Sequence, residues 1–221
     1  MSVLTALLRR ELALAWARGG GALLAVGFFV AATVMLPLAL GPAPERLAAV
    51  SGGVTWVVLA LASLLSLDRM FERDFEDGAL DLLALGPLPL EMVSAAKCLA
   101  QWTVNGAPLA ASAPFVAVAL GARLTTAPMI FAAAALGGVA FAFLGGTGAA
   151  LALASRRGGV LIAVVVLPLL TPPVIFGGAA VANFTAGLPW ATAITLLAAY
   201  ALACVALTPF AMAAACRNAQ S

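Results

Sequence analysis

Between Asp68 and Lys97 the chain gathers seven of its nine acidic residues, and side-chain chemistry is concentrated there. The stretch reads Asp68-Arg69-Met70-Phe71-Glu72-Arg73-Asp74-Phe75-Glu76-Asp77-Gly78-Ala79-Leu80-Asp81 and continues through Gly86-Pro87-Leu88-Pro89. Carboxylates this close together could hold a metal, act as general acids and bases, or form a charged docking face. Asp74, Glu76 and Asp77 lack the spacing of a calcium loop, and Arg69 and Arg73 are interleaved with them. The pattern therefore reads as a solvated, salt-bridged surface. A phosphate-cradling glycine loop and a Ser/His/Asp set are both missing. Histidine is absent from the whole chain, which removes the commonest general base, proton relay and haem ligand together. Cys98, Cys204 and Cys216 form no CxxC pair and read as small apolar fillers of helices. Neither catalysis by this chain alone nor a cofactor or metal held by it is expected.

The elements that must position this stretch are hydrocarbon. With 64% hydrophobic and 9% charged residues and a mean hydropathy of +1.13, the composition is that of an integral membrane protein. A span takes about 20 apolar residues, so 221 residues with short connections accommodate about six. Six uncharged segments fit: 20–40, 47–67, 98–120, 128–154, 159–181 and 190–215. The prediction is one all-α polytopic domain, 1–221, in which 68–97 is a water-facing loop between the second and third spans. Residues 2–18 place Leu4, Leu7, Leu8, Leu12 and Ala15 near one helical face with Trp16 toward the end, which suits a helix lying along the membrane surface. A frayed basic flank is the alternative. A cleaved signal peptide is disfavoured, because 20–40 is too long for its apolar core.

Orientation follows from Lys and Arg. With a cytoplasmic N-terminus, Arg9, Arg10, Arg18, Arg69, Arg73, Lys97, Arg156, Arg157 and Arg217 lie inside and only Arg46 and Arg123 outside. Nine against two is a clear positive-inside bias, which puts both termini and the acidic loop in the cytoplasm. A net charge of +2 without any Lys/Arg run longer than two gives no reason to expect a nucleic-acid partner.

Two spans are irregular. Pro168, Pro172 and Pro173 fall within six residues and predict a kink or break near Thr171. Residues 172–189 then form either a re-entrant element on the outer side or the end of a kinked helix. In the fourth span Gly138, Ala142, Gly146, Ala150 and Ala154 recur every four positions, a seam for close packing. No span carries an ionisable group that could couple transport to protons, although sodium coupling through carbonyls at a broken fifth span stays open. Work must otherwise come from a partner. Phe71 and Phe75, four residues apart and flanked by charges, suit insertion into a groove on a soluble motor protein, with Gly78 allowing a turn behind them.

The run from Ser66 to Leu83, followed by Pro87-Leu88-Pro89, Lys97 and Trp102, closely resembles the CcmB family, the membrane subunit of the haem-handling ABC complex of cytochrome c maturation. So do Phe28-Phe29, Leu36-Pro37-Leu38, Gly41-Pro42, the turn from Arg156 to Leu161, Val166-Leu167-Pro168-Leu169 and Thr208-Pro209-Phe210-Ala211. The resemblance implies a six-helix permease of the bacterial inner membrane, two copies working with two copies of an ATPase subunit that binds ATP. It implies haem as the cargo of the complex and, as further partners, a haem-carrying membrane subunit, a small membrane subunit and a periplasmic haem chaperone. By the same analogy, Phe71, Glu72, Arg73, Asp74, Phe75, Glu76, Asp77, Gly78 and Asp81 belong to the coupling helix that meets the ATPase. A permease for a lipid or drug, or an assembly scaffold that transports nothing, are the competing readings.

Overall fold

A computed structural model describes residues 3–17, 21–41, 44–65, 70–153 and 165–220. The Arg156-Arg157 turn, the start of the fifth predicted segment, and Asp68 and Arg69 lie outside these residues. Among the described residues every regular element is helical: α1 (Val3–Ala17), α2 (Gly21–Leu40), α3 (Pro44–Leu65), α4 (Glu72–Glu76), α5 (Ala79–Ala84), α6 (Leu90–Gln101), a π turn (Trp102–Gly106), α7 (Ala107–Ala119), a 3-10 turn (Leu124–Thr126), α8 (Ala127–Leu153), α9 (Leu167–Thr185) and α10 (Ala191–Gln220). Four helical stretches are long and apolar enough to cross a membrane: Ala22–Ala39, Leu124–Leu153, Leu167–Thr185 and Ala191–Gln220.

Helix α8 occupies the centre, and its small residues explain how. Gly137, Gly138, Ala142, Gly146 and Ala150 are all buried. A side chain at Gly137 or Gly177 would overlap the indole of Trp56, so α8 and α9 between them form the slot that takes this tryptophan from α3. Nine residues beyond Gly137, Gly146 faces the sulfurs of Cys98, Met212 and Met70. The glycines of α8 thus receive side chains from α3, α6 and α10, and packing of this kind carries helix association where lipid is as apolar as leucine. Next to Gly138 lies Trp102, whose indole N–H donates to the Ala135 carbonyl at 3.2 Å and fixes the π turn of the third segment against α8.

The proline-rich segment follows one of the two sequence expectations. Helix α9 runs without interruption through Pro172 and Pro173 to Thr185, so there is no break at Thr171 and the reading of a single helix is the one that fits. Pro168 sits in the first turn, where the missing N–H has no partner to lose. Pro173 cannot donate to the Leu169 carbonyl four residues back, but the Tyr200 hydroxyl of α10 donates to it at 2.8 Å. A neighbouring helix thereby supplies the hydrogen bond that the proline removes. Beyond Thr185 the chain turns at Gly187 (φ 70°), held by the Asn183 amide on the Pro189 carbonyl and by an edge-to-face contact of Phe184 with Trp190.

The Trp56 slot makes a testable claim. Gly177→Ala is expected to lower stability by about 1–3 kcal/mol through overpacking, and Trp56→Leu in the same chain should restore much of it. Thermal unfolding in detergent of the two variants and the double variant checks this.

Candidate functional site

Lysine at position 97 defines the site. In α6, Leu90, Ser94, Lys97 and Gln101 fall at helical spacing and are buried together, so the ammonium points away from water. A buried charge needs opposite charge within hydrogen-bond reach. Lys97 Nζ donates to Glu11 Oε2 at 2.9 Å and also to Asp74 Oδ2. Arg10 completes the cluster, with hydrogen bonds to Glu11 at 2.5 Å and to Asp74 at 3.3 Å. The Lys97 ammonium also lies 5.9 Å from the centre of the Phe71 ring, close enough for a cation–π attraction. Glu11, Asp74 and Lys97 are 4%, 4% and 3% exposed. Three separate stretches of chain, α1, α4 and α6, thus meet at one ion-pair cluster.

Apolar contacts reinforce the junction. Leu7 of α1 packs on Val93 and Ala96 of α6, with Leu8, Leu83 and Leu88 around them. The end of α10 reaches the same region: Arg217 pairs with Glu91 at 2.8 Å and the Gln220 amide donates to Asp81 at 2.8 Å. The first helix, the acidic segment and the last helix therefore share one side of the molecule. A hydrogen bond from its own backbone N–H, and then Arg217, hold the Glu91 carboxyl below its ordinary range. Because this folded carboxyl ionises more readily than the unfolded one, its contribution is present at neutral pH and is lost as pH falls through the acidic range.

The acidic segment itself divides into a buried and an exposed face. Gly78 adopts φ 68°, a left-handed turn that costs a glycine little, and it separates α4 from α5. Glu72, Arg73, Phe75, Glu76, Asp77 and Asp81 are exposed, and so are Leu82 and Leu85. Phe71 and Asp74 are not. The expectation that Phe71 joins Phe75 on a docking face is corrected: Phe71 caps α4 at φ −107°, outside its regular turns, and is buried beneath Lys97. Asp74, expected among the docking charges, is committed to Lys97 and Arg10. Pro168, Pro172 and Pro173 all lie in α9, apart from the cluster.

Arg10, Glu11, Lys97, Leu82 and Leu85 were not among the site residues expected from the sequence. A signal existed for Glu11, which falls on the Leu4, Leu7, Leu8 and Ala15 face of α1, where a carboxylate is out of place. Among the described residues, no group of three or more His, Cys, Asp and Glu is arranged to hold a metal ion.

Lys97→Met leaves two buried carboxylates to share the partly exposed Arg10 and is expected to cost about 3 kcal/mol. Arg217→Ala removes a half-exposed partner and should cost less than about 1 kcal/mol, with a smaller loss of stability on acidification than the native chain shows. Denaturation midpoints at neutral and acidic pH test both statements.

A family model described as "CcmB protein" matches residues 2–219. Heme exporter protein B of Paracoccus denitrificans is 48% identical over 212 residues, 96% of this chain and 97% of the relative. The protein of that name from Rhodobacter capsulatus is 43% identical over 212 residues, with the same coverage of both chains. That of Escherichia coli K12 is 38% identical over 190 residues, 86% of each chain. A match of this extent, over an all-helical chain whose charged segment has the geometry just described, establishes that the protein belongs to the CcmB family.

Proposed function

We propose that this chain is the membrane permease subunit of an ABC-type complex that exports haem, or releases a haem-loaded chaperone, for c-type cytochrome biogenesis. The observation that carries this reading is the exposed face of α4 and α5, an acidic and apolar surface fastened to a bundle of uncharged helices. Phe75, Leu82 and Leu85 are 38%, 73% and 86% exposed, and Glu72, Arg73, Glu76, Asp77 and Asp81 surround them. Apolar anchors within a charged rim are what a groove on a soluble partner engages. The partner is the ATPase subunit, which binds ATP and supplies the work that a chain without a catalytic set does not.

Six spans follow from adding two segments to the four long apolar helices. Pro44–Leu65 has 22 residues, and the third span, 98–120, runs through the last turn of α6, the π turn and α7 in series. The nine-to-two distribution of Lys and Arg puts α1, the docking face and the end of α10 in the cytoplasm of a bacterial inner-membrane protein. Relatives named heme exporter protein B support haem as cargo of the complex. Two copies of the chain, a haem-carrying membrane subunit, a small membrane subunit and a periplasmic haem chaperone complete the assembly in this reading. With no histidine in the chain, the iron ligands belong to the partners.

Pull-down of the ATPase subunit in mild detergent tests the proposal. Phe75→Ala with Leu85→Ala should reduce recovery at least about tenfold, as loss of two interface anchors does, while the permease still inserts. Phe71→Ala should instead lower the yield of folded permease. Undiminished ATPase recovery by the Phe75/Leu85 variant would remove the docking role from this face.

A further inference from the structure

Lys97 does more than neutralise its surroundings. The ion-pair cluster joins a helix read as lying on the membrane surface, a docking segment and the foot of a span, and these are separated in sequence by 86 residues between Lys97 and Glu11 and 23 between Lys97 and Asp74. A purely local need for charge balance would be met by one carboxylate. Here the two carboxylates come from different elements, and Arg10 bridges both of them from the α1 side. Separating α1 from α6 would break the Lys97–Glu11 bond and the Arg10–Asp74 bond, and separating α4 from α6 would break the Lys97–Asp74 bond, each leaving a buried group with one partner where it had two. Such a separation is strongly disfavoured. The leucine and valine contacts under the cluster oppose it in the same direction.

Five residues beyond Lys97 the character of the backbone changes. Trp102–Gly106 forms a π turn, with a wider and more weakly bonded ring than the α-helix on either side. Gly106 meets the Trp102 side chain so closely that no larger residue fits, and Trp102 in turn is tied to Ala135 of the central helix. Asn105 within the turn is 6% exposed and its Oδ1 accepts no hydrogen bond among the described residues. The void beside it, lined by Ser63, Gln101 and Asn105, is about 10 Å³, the size of a single water. Firm helix therefore gives way to a wide-ringed turn with an unsatisfied amide at one place in this segment.

We propose that Lys97 is a positioning residue that locks α1, the docking segment and α6 into one rigid body, and that the π turn at Trp102–Gly106 is the joint about which this body moves against the central helix. The inference rests on the proposed docking of an ATPase at Phe75 and Leu85, and it adds what happens to that push. A force applied at α4 and α5 passes through Asp74 and Lys97 into α6 and through Glu11 into α1. All three then swing together, and the change is taken up at the π turn. In this arrangement α1 is part of the moving unit and is not a passive anchor on the membrane surface.

The test uses the complex with its ATPase and two forms of the cluster. Lys97→Met combined with Glu11→Gln and Asp74→Asn removes all the buried charges of the cluster and leaves only the Arg10 guanidinium, which is 38% exposed and reaches water, while Lys97→Arg keeps the cation. Spin labels go on exposed positions of α1 and α6, Ala13 and Met92, which lie outside the docking face and the cluster. In the native chain the distance between the labels should be narrow and should stay the same with and without ATP. The neutral triple variant should still recover the ATPase to within about twofold and hydrolyse ATP, yet show a second distance population on adding ATP. Haem transferred per ATP should fall at least about tenfold. Lys97→Arg should behave as the native chain. A native distance that itself changes with ATP would overturn the rigid-body claim without reference to any variant. A triple variant with an unaltered distance and coupling ratio would overturn the role of Lys97, and so would loss of ATPase recovery by that variant, since the cluster would then only shape the docking surface. If the native chain recovers no ATPase, it is the docking reading that fails.

Discussion

A buried ammonium has to be neutralised on the spot, and Lys97 passes that requirement on to two other parts of the chain. Its position on the inner face of α6 demands carboxylates, and they come from α1 and α4. The first helix is thereby placed beside the foot of the third segment, and the acidic segment is turned so that Asp74 and Phe71 face inward. Phe75 and Glu76 consequently face outward. Exchanging Lys97 for an apolar residue of similar size, with its two carboxylates neutralised, need not unfold the protein. What the ions contribute is register, because each can be satisfied in only one arrangement of the three helices.

In the apolar part of the molecule the constraint is different. Surrounded by helices, α8 gains nothing from excluding lipid, and association depends on close contact and on satisfied backbone groups. Glycines at 137, 138, 146 and 177 admit Trp56, Trp102 and a group of sulfur atoms, so that large side chains from three other helices lock into α8 and α9. Prolines in α9 remain within a helix because the chain's one tyrosine reaches the carbonyl that Pro173 leaves free. Both solutions are local exchanges between neighbouring helices. Together they give the charged end a firm base.

Much of this was legible in the sequence. Uncharged segments and a single acidic island mark the long helices and the short α4–α5 segment, and a Gly after Asp77 marks the turn between α4 and α5. The recurrence of small residues in the fourth segment identified the buried row of α8, although not the tryptophan and sulfurs that fill it. Other features depended on tertiary partners that local pattern does not encode. Phe71 and Phe75 are four apart, which suggests a shared face, but α4 begins only at Glu72 and the two rings diverge. Asp74 and Asp77 look alike in sequence, and only the approach of Lys97 and Arg10 makes one structural and the other exposed. The three prolines predict a kink or break on local grounds, whereas Tyr200 lies 31 residues from the carbonyl it serves. The carboxylate of Glu11 on an otherwise apolar stripe was the readable clue to the cluster.

Backbone hydrogen exchange of the permease, measured alone and with its ATPase subunit, tests the central claim most directly. The account predicts new protection at Glu72–Ala84, the docking segment that faces outward from the ion-pair cluster, while the loop at 121–126 exchanges at the same rate in both states. Amides of α1 and α6 should be slow already in the permease alone, since Lys97 holds them together before any partner binds. Protection appearing at 121–126 in place of the docking segment would contradict the account, as would rapid exchange in α1 and α6 of the free permease.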